Sequence, residues 1–389
     1  MYLKKGGLPM KKKLCMMLLG LCLVSMSACE NNIQNTETNN ITSSESNSDL
    51  QENDLNEELT ENDDFQNNLA EISNSEDGLV VVPGTYNIGD YISNRNYLIT
   101  CEETDYSMRV IVFEGKEAYA SYQNTNRTAN GEELAAIEQN ALYDYYLEKG
   151  EMGYLSFSDD YVLLIDSGNG RLKELNKTEK NDMDLFCGTY FVGNDIEASH
   201  YLLACTETEY SMQFIVFENM KAYKKYHQTS RFTNGEELAA IKQNALYDCY
   251  LNADETVYLN LADGYILLID DGKGELNELN MDNSTTWYSD ENIGLCSGVC
   301  FVENDLDAAQ YSLTCTDSYM QVIVFENIDA YKAYHQSSRF TGGEESEAIE
   351  KNTAFNEYVY EGDSIVINLQ AGNVLLISDG IGILETLSK

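Results

Sequence analysis

Internal repetition is the sequence feature that most limits what this chain can fold into. Residues 130–147 and 234–251 are identical at all but two positions. The same offset of 104 residues aligns 84–176 with 188–280 without a gap, and a third, more diverged copy begins near Gly298. A repeat of this length predicts that each copy is one structural unit, so we expect an array of three similar units.

The repeats set the predicted domain boundaries. A unit of about 95 residues can bury a hydrophobic core of its own, which favours monomeric beads on a string over a solenoid. The predicted segments are a lipoprotein signal peptide at 1–28, a disordered acidic tether at 29–79, repeat 1 at 80–177, repeat 2 at 185–281, a linker at 282–294 and repeat 3 at 295–389.

Within one repeat the residue pattern changes from strand-like to helix-like and back. Short segments rich in aromatic and β-branched residues predict strands at both ends. Between them, Asn219 begins a stretch with apolar residues at helical spacing, and Asn234 with Glu237 forms a capping box before a second stretch that runs to Cys249. The predicted fold class is therefore α+β, in which each repeat is a small antiparallel β-sheet or sandwich with a two-helix insertion.

The two ends of each repeat carry a motif that resembles a known family. Repeat 2 begins with Gly188-Thr189-Tyr190, Val192-Gly193, Asp195-Ile196, Ala198 and Tyr201, and it ends with Val257, Leu259, Asp263-Gly264-Tyr265 and Leu267. This pattern resembles the β-rich repeats of surface lipoproteins from low-GC Gram-positive bacteria, although Glu197-Ala198-Ser199 stands where those repeats have Pro-Ala-Gly. The resemblance implies a structural repeat at a cell surface, and it assigns no functional residue.

The N-terminal segment predicts where the protein resides. Lysines at 11–13 precede the apolar run 14–28, and small residues stand directly before Cys29. A basic stretch, a short apolar core and small residues before a cleavage site are typical of a secretory signal, and this core is too short to span a bilayer comfortably. The last residues resemble a bacterial lipobox, which implies that Cys29 is lipidated on the outer face of the cell membrane. An ordinary signal peptide or a tethering helix remains the alternative, and translation could begin at Met1 or Met10.

Charge excludes two classes of partner. The chain has a net charge of −42, and removal of residues 1–28, which contain five lysines and no acids, would leave −47. A protein with so large a negative net charge repels nucleic acid and anionic lipid headgroups. Residues 30–78 contain no Lys or Arg and few apolar residues, which predicts a disordered, self-repelling tether.

The cysteines of the repeats do not form a pattern that predicts catalysis. Cys101, Cys205 and Cys315 recur at one strand position, where we expect buried thiols that pack as small apolar groups. Disulfide formation remains open for the other four cysteines of the repeats, which are Cys187, Cys249, Cys296 and Cys300.

The histidines and the glycine-containing turns do not indicate a chemical site either. His227 and His335 are equivalent, but Gln123 replaces them in repeat 1 and His200 has no counterpart, so we expect all three on the surface. The turns near the end of each repeat are too short for a calcium loop of the EF-hand type and predict β-hairpins. We therefore predict no metal site and no cofactor.

One polar pattern recurs in all three copies and is the best candidate for a binding site. An Ala-Tyr-x-x-Tyr segment is followed by an arginine and then by a pair of glutamates. The candidate ligand-binding residues are Tyr119, Tyr122 and Arg127 in repeat 1, Tyr223, Tyr226 and Arg231 in repeat 2, and Tyr331, Tyr334 and Arg339 in repeat 3. Tyrosines one helical turn apart share a face, so they could stack on a sugar or a peptide. Alternatively, the tyrosines pack the helix on the sheet while each arginine pairs with a glutamate.

Three copies of one unit favour binding over catalysis. Similar units on a flexible tether raise avidity by increasing the effective concentration, whereas an enzyme gains little from copies that share no nucleophile or base. The predicted function is a non-catalytic, multivalent surface lipoprotein that binds an extracellular glycan, peptide or protein. The alternative is a cell-wall-acting hydrolase that uses paired carboxylates.

Overall fold

The computed structural model describes residues 74–75, 78–124, 137, 139–175, 182–229, 240–241, 243–279, 288–289, 292–337 and 351–388. The described residues are mostly β, with 57% of them in strands. The strands follow the same order in three successive repeats, each of which has one helix that lies wholly within the described residues.

The bounds of the elements are as follows. Repeat 1 contains β1 (Asn74–Ser75), β2 (Gly78–Val81), β3 (Gly84–Asn87), β4 (Asn96–Glu103), β5 (Met108–Phe113), α1 (Lys116–Asn124), β6 (Ala141–Leu147), β7 (Met152–Ser156), β8 (Val162–Ser167) and β9 (Asn169–Glu174). Repeat 2 contains β10 (Asp182–Leu185), β11 (Gly188–Phe191), β12 (Ser199–Glu207), β13 (Met212–Phe217), α2 (Met220–His227), β14 (Tyr247–Leu251), β15 (Thr256–Leu261), β16 (Ile266–Asp271) and β17 (Lys273–Glu278). Repeat 3 contains β18 (Tyr288–Ser289), β19 (Asn292–Leu295), β20 (Gly298–Phe301), β21 (Ala309–Cys315), β22 (Tyr319–Phe325), α3 (Ile328–Gln336), β23 (Thr353–Tyr360), β24 (Ser364–Leu369), β25 (Val374–Asp379) and β26 (Gly382–Ser388).

Each repeat is a sandwich of two antiparallel sheets. The first sheet has the strand order β2-β9-β4-β7 in repeat 1, β10-β17-β12-β15 in repeat 2 and β19-β26-β21-β24 in repeat 3, and the short β1 and β18 extend it in repeats 1 and 3. The second sheet has the order β3-β8-β5-β6, β11-β16-β13-β14 and β20-β25-β22-β23. Successive strands alternate between the sheets for most of the repeat, so the core between the sheets is built from strands distant in sequence.

Alternation along the strands explains how the core forms. In β4, Tyr97, Ile99 and Cys101 are buried and the residues between them are not. A strand with period two presents one face to the core and the other outward. Cys205 and Cys315 are buried at the equivalent positions, which confirms that these thiols pack in the core.

The predicted α+β fold with two-helix insertions is wrong. The first predicted helix is present as α2, where the Asn219 side chain accepts a hydrogen bond from the Ala222 N–H and caps the helix. The second does not continue to Cys249, because Tyr247–Leu251 is the edge strand β14, paired with β13. In repeat 1 the same segment is β6, whose Tyr143, Tyr145 and Leu147 are buried at every second residue. The aromatic residues thus follow the period of a strand, and pairing with the neighbouring strand determines the structure.

The repeats are joined into one compact unit, which contains residues 63–389. The first sheet of one repeat meets the second sheet of the next through a parallel bridge, from Gly153 to Cys187 at the first junction and from Tyr258 to Gly298 at the second. The expectation of separate beads is therefore wrong. The described end of the predicted linker at 282–294 is in a strand, since β19, which begins at Asn292, pairs with β26.

The prediction that the glycine-containing turns form hairpins is wrong, because each turn connects a strand of the second sheet to a strand of the first sheet and the two strands do not pair with each other. Gly168, Gly272 and Gly380 each connect the last two strands of a repeat and have φ angles of 77°, 84° and 87°. Glycine adopts this left-handed conformation without the steric cost that a side chain brings.

Candidate functional site

The predicted ligand-binding tyrosines are core residues. In each repeat the two helix tyrosines lie against one phenylalanine of the second sheet, with ring centroids 5.1–5.4 Å apart. The sets are Phe113 with Tyr119 and Tyr122, Phe217 with Tyr223 and Tyr226, and Phe325 with Tyr331 and Tyr334. All six tyrosines are buried, so their rings do not offer a stacking surface to a ligand. These tyrosines therefore pack the helix on the sheet, which was the alternative interpretation of the sequence pattern.

The other residues of the predicted sites lie outside the described part of the chain. These are Arg127, Arg231 and Arg339 of the candidate groove and Cys29 of the lipid anchor.

The histidines lie at the junctions between repeats, and the prediction that they are surface residues is wrong. His227 and His335 are each only 3% exposed. The Nε2 atom of His227 lies 3.2 Å from Oδ1 of Asp144, and Nε2 of His335 lies 2.7 Å from Oδ1 of Asp248. Each pair joins the helix of one repeat to the edge strand, β6 or β14, of the preceding repeat.

A second ion pair recurs at the rim of each junction. Lys332 Nζ lies 2.9 Å from a carboxylate oxygen of Glu218, and Lys224 pairs with Glu114 in the same way. These side chains are partly exposed, so each pair contributes at most about 1 kcal/mol. The buried His–Asp pair is the stronger determinant of how the repeats join.

A partly buried carboxylate, that of Asp195, connects the first sheet of repeat 1 to repeat 2. Asp195 Oδ1 accepts hydrogen bonds from Ser156 Oγ at 2.9 Å and from Asn96 Nδ2 at 3.4 Å, and Oδ2 accepts one from the Phe191 N–H at 2.8 Å. Burial raises the pKa of this carboxyl group, and the hydrogen bonds lower it by a smaller amount. Repeat 1 thus holds a side chain of repeat 2 in a polar socket.

The socket recurs at the junction of repeats 2 and 3 with different residues. Asp305 accepts hydrogen bonds from Asn260 Nδ2 and the Phe301 N–H, both at 2.5 Å. His200 lies beside them, with Nδ1 2.6 Å from the Tyr258 hydroxyl and 3.7 Å from the Asp305 carboxylate. Burial again raises the pKa of the Asp305 carboxyl group. All three histidines of the chain therefore lie at junctions between repeats, each beside an aspartate of the neighbouring repeat.

The two ends of the array lack these joining groups. Repeat 1 has Tyr91, Ala120 and Gln123 where repeat 2 has Asp195, Lys224 and His227. Repeat 3 has Asn356 where repeats 1 and 2 have Asp144 and Asp248, as the strand register shows. The histidine and the aspartate of the buried pair therefore occur only in described repeats that face each other, whereas Glu326 is an exception that keeps the position of Glu114 and Glu218 in repeat 3. Their chemistry is thus explained by assembly of the array, without a reaction or a ligand.

One exposed aromatic residue occupies the same place in all three repeats. Tyr146, Tyr250 and Tyr358 lie on the outer face of the edge strand of the second sheet, with exposures of 47%, 53% and 55%. We call these three residues the edge tyrosines. In repeat 1 the ring lies over the guanidinium group of Arg109, whose Cζ atom is 5.1 Å from the ring centroid. The sequence contained the signal, since the edge tyrosines recur in the near-identical segment, but it did not show that they face outward.

A second exposed set lies just before β5 and β13 and at the start of β22. Tyr106 and Tyr210 are exposed in repeats 1 and 2. In repeat 3, Tyr319 lies directly across the strand pair from Tyr360, and Tyr358 lies on the same face as Tyr360. All three of these repeat 3 tyrosines are exposed, which makes this end of the second sheet rich in accessible phenol rings.

Other kinds of site find no support within the described ranges. No group of three or more His, Cys, Asp or Glu side chains there could hold a metal ion. The seven cysteines that the structure describes are free thiols, including Cys187, Cys249, Cys296 and Cys300. None of the described helices has the length and apolar character of a membrane span.

Comparisons with known proteins identify no family. No family matches the sequence, and no curated protein matches it. Among solved structures, the chain is similar to a chain from the X-ray structure of the entire lipid-containing bacteriophage PM2, with 10% sequence identity and a TM-score of 0.13, over 77% of this chain and 84% of that chain. A TM-score this low supports no statement about fold or function.

Proposed function

We propose that this protein is a non-catalytic, multivalent surface lipoprotein whose three repeats bind an extracellular glycan, peptide or protein. The edge tyrosines support this proposal. Core packing does not require them, because their neighbours Tyr145, Leu251 and Val359 are buried while the edge tyrosines stand about half exposed. Three equivalent exposed rings are a repeated contact surface.

The chemistry of these rings fits a neutral or cationic ligand. A phenol ring offers an apolar face for stacking and a hydroxyl group for hydrogen bonds. The net charge of −42 disfavours anionic ligands and favours cations or basic peptides. A ligand that repeats along a polymer would contact several edge tyrosines at once, which raises avidity.

The alternative of a cell-wall hydrolase has no support in the described carboxylates. A glycosidase of this kind needs two carboxyl groups that flank a substrate in an open cleft. Asp195 and Asp305 have raised pKa values, but they lie in different junctions and are held by the joining residues. The packing of one repeat against the next therefore explains the raised pKa values of these two carboxyl groups.

Substitution of the edge tyrosines tests the binding proposal. The full chain should be probed on a glycan and peptide array, and its affinity for the positive ligand should then be measured. Each of Tyr146→Ala, Tyr250→Ala and Tyr358→Ala should weaken binding about tenfold, since one aromatic contact is worth about 1–1.5 kcal/mol. The triple variant should lose measurable binding.

A matched control uses the other exposed tyrosines. Replacing Tyr106 and Tyr210 with alanine removes from loops two rings that are more exposed than the edge tyrosines, at 92% and 79%, and it should leave affinity unchanged. An array without any positive ligand, or a triple variant that binds like the wild type, would contradict the proposal.

We also propose that Cys29 carries the lipid that holds the protein on the outer face of the bacterial cell membrane. Cells fed an alkyne analogue of palmitate should label the wild-type protein, and Cys29→Ala should remove the label and release the protein from the membrane fraction. An unlabelled wild-type protein would end this part of the proposal.

A further inference from the structure

The strand that receives the next repeat has an unoccupied counterpart in repeat 3. At the first junction the Tyr154 N–H of β7 donates to the Cys187 carbonyl at 2.7 Å, and at the second the Tyr258 N–H of β15 donates to the Ser297 carbonyl at 2.9 Å. The equivalent strand of repeat 3 is β24, which is the last strand of its sheet among the described residues. The joining edge is therefore repeated a third time, and no described strand pairs with its outer side.

The β24 edge has the composition of a strand that pairs. Its sequence, SIVINL, contains no charge, no proline and no glycine. Val366 occupies the register position of Tyr154 and Tyr258 and is 55% exposed. Proteins protect free edges with charged residues or proline because open apolar edges pair with other chains. The opposite end of the array has this protection, since Pro83 stands where repeat 2 has Cys187.

The polar socket is also present at the free end. Gln310 lies across the strand pair from Asn368, as Asn96 lies across from Ser156 at the first junction and His200 from Asn260 at the second. A groove of about 580 Å³ is lined by Gln310, Asn368 and Gln370. At both junctions the equivalent residues surround an aspartate of the incoming repeat. The amide groups of the groove can donate hydrogen bonds to a carboxylate in the same way.

We propose that the free end of repeat 3 binds an extended β segment of another protein. The segment pairs in parallel with β24, and a turn after it places an aspartate in the groove between Gln310 and Asn368. This chemistry repeats the start of repeat 2, where β11 is followed by a turn that leads to Asp195. A second copy of this chain does not fit, because its first repeat has Pro83 and Tyr91 in the places of Cys187 and Asp195.

The proposed site differs from the binding surface of the edge tyrosines. Val366 and Asn368 belong to the first sheet of repeat 3, whereas Tyr358 belongs to the second. The two proposals can therefore fail independently.

A peptide copy of the natural joining segment tests the site. The probe is a fluorescent synthetic peptide of residues 186–197 with serine in place of Cys187, and its anisotropy is measured against the full chain. We expect saturable binding that weakens at least about tenfold with Val366→Lys, which places a charge on the edge, and with Asn368→Asp, which repels the peptide's aspartate. Ile381→Lys alters an equally accessible aliphatic residue in a turn and should leave binding unchanged.

The results of these measurements distinguish a segment of another protein from a second copy of this chain at the β24 edge. Absence of saturable binding overturns the proposal, and so does binding that Val366→Lys and Asn368→Asp leave intact. Sedimentation of the wild-type chain is the second measurement, and self-association that Val366→Lys abolishes would identify a second copy as the occupant and overturn the proposal. A scrambled peptide that binds as tightly as the natural sequence also overturns it.

Discussion

Replacing Asp248 with alanine should destabilise the junction of repeats 2 and 3 by about 3–5 kcal/mol. Asp248 and His335 are both almost completely buried, and their side chains are 2.7 Å apart. Removal of one partner of a buried pair leaves the other without compensation in apolar surroundings, which is the costly case. Urea unfolding gives the loss in free energy, and amide hydrogen exchange in α3 and β14 shows whether the junction opens first.

The ends of the chain supply the matched control for this pair. Combining Asp248→Asn with His335→Gln installs the residue types that repeat 3 has at Asn356 and repeat 1 has at Gln123. Two neutral amides can hydrogen-bond without a buried charge, so the double variant should recover most of the lost stability. A cost below about 1 kcal/mol for Asp248→Ala, as for an exposed pair, would show that the buried pair does not hold the junction.

The parts of the fold that depend on local pattern could be predicted from the sequence. The repeat, the capped helix that begins after Asn219, the core position of Cys205 and the glycine turn at Gly272 each depend on residues within one short segment. The segment 141–147 was wrongly assigned to a helix for a related reason. Ile137 and Ala141 continue a helical spacing locally, but pairing of Ala141–Leu147 with β5 lies outside the window in which such spacing is judged.

The junctions were missed because their partners are far apart in sequence. His227 contacts Asp144 and His335 contacts Asp248, at separations of 83 and 87 residues. A signal was nonetheless present. The histidine is absent only from the first copy and the aspartate only from the last, as expected when the head of each repeat binds the tail of the one before it. Comparison of end repeats with inner repeats is thus a route to such contacts.

Joined repeats change how the proposed binding would work. Flexible beads would let each edge tyrosine search for the ligand independently, whereas one compact unit holds Tyr146, Tyr250 and Tyr358 at fixed positions. Fixed spacing increases avidity for a ligand of matching period and lowers it for others. The buried pairs of the junctions therefore contribute to ligand selectivity in this proposal, although they do not contact the ligand.

Replacing Gly298 with alanine should open the junction of repeats 2 and 3 at the first sheet. Gly298 has a φ angle of +149°, and a Cβ atom there would lie 2.7 Å from the Tyr258 carbonyl oxygen of the preceding repeat. Backbone strain of this kind costs about 1–3 kcal/mol, and displacement of the backbone also breaks the hydrogen bond from the Tyr258 N–H to the Ser297 carbonyl, worth about 1 kcal/mol. We expect a total loss of about 2–4 kcal/mol in urea unfolding, with faster hydrogen exchange at the Tyr258 amide.

Gly264→Ala distinguishes the effect of the steric clash with the preceding repeat from the effect of backbone strain. Gly264 also has a positive φ angle, of +82°, but a Cβ atom there meets nothing within 4 Å. Its replacement should therefore cost only the backbone strain and leave exchange at the Tyr258 amide unchanged. Gly188→Ala should reproduce the larger effect at the first junction, where the Cβ atom would lie 2.7 Å from the Tyr154 carbonyl oxygen. Equal losses for Gly264→Ala and Gly298→Ala would mean that the close approach of the repeats contributes nothing, and that glycine begins each joined repeat for its conformation alone.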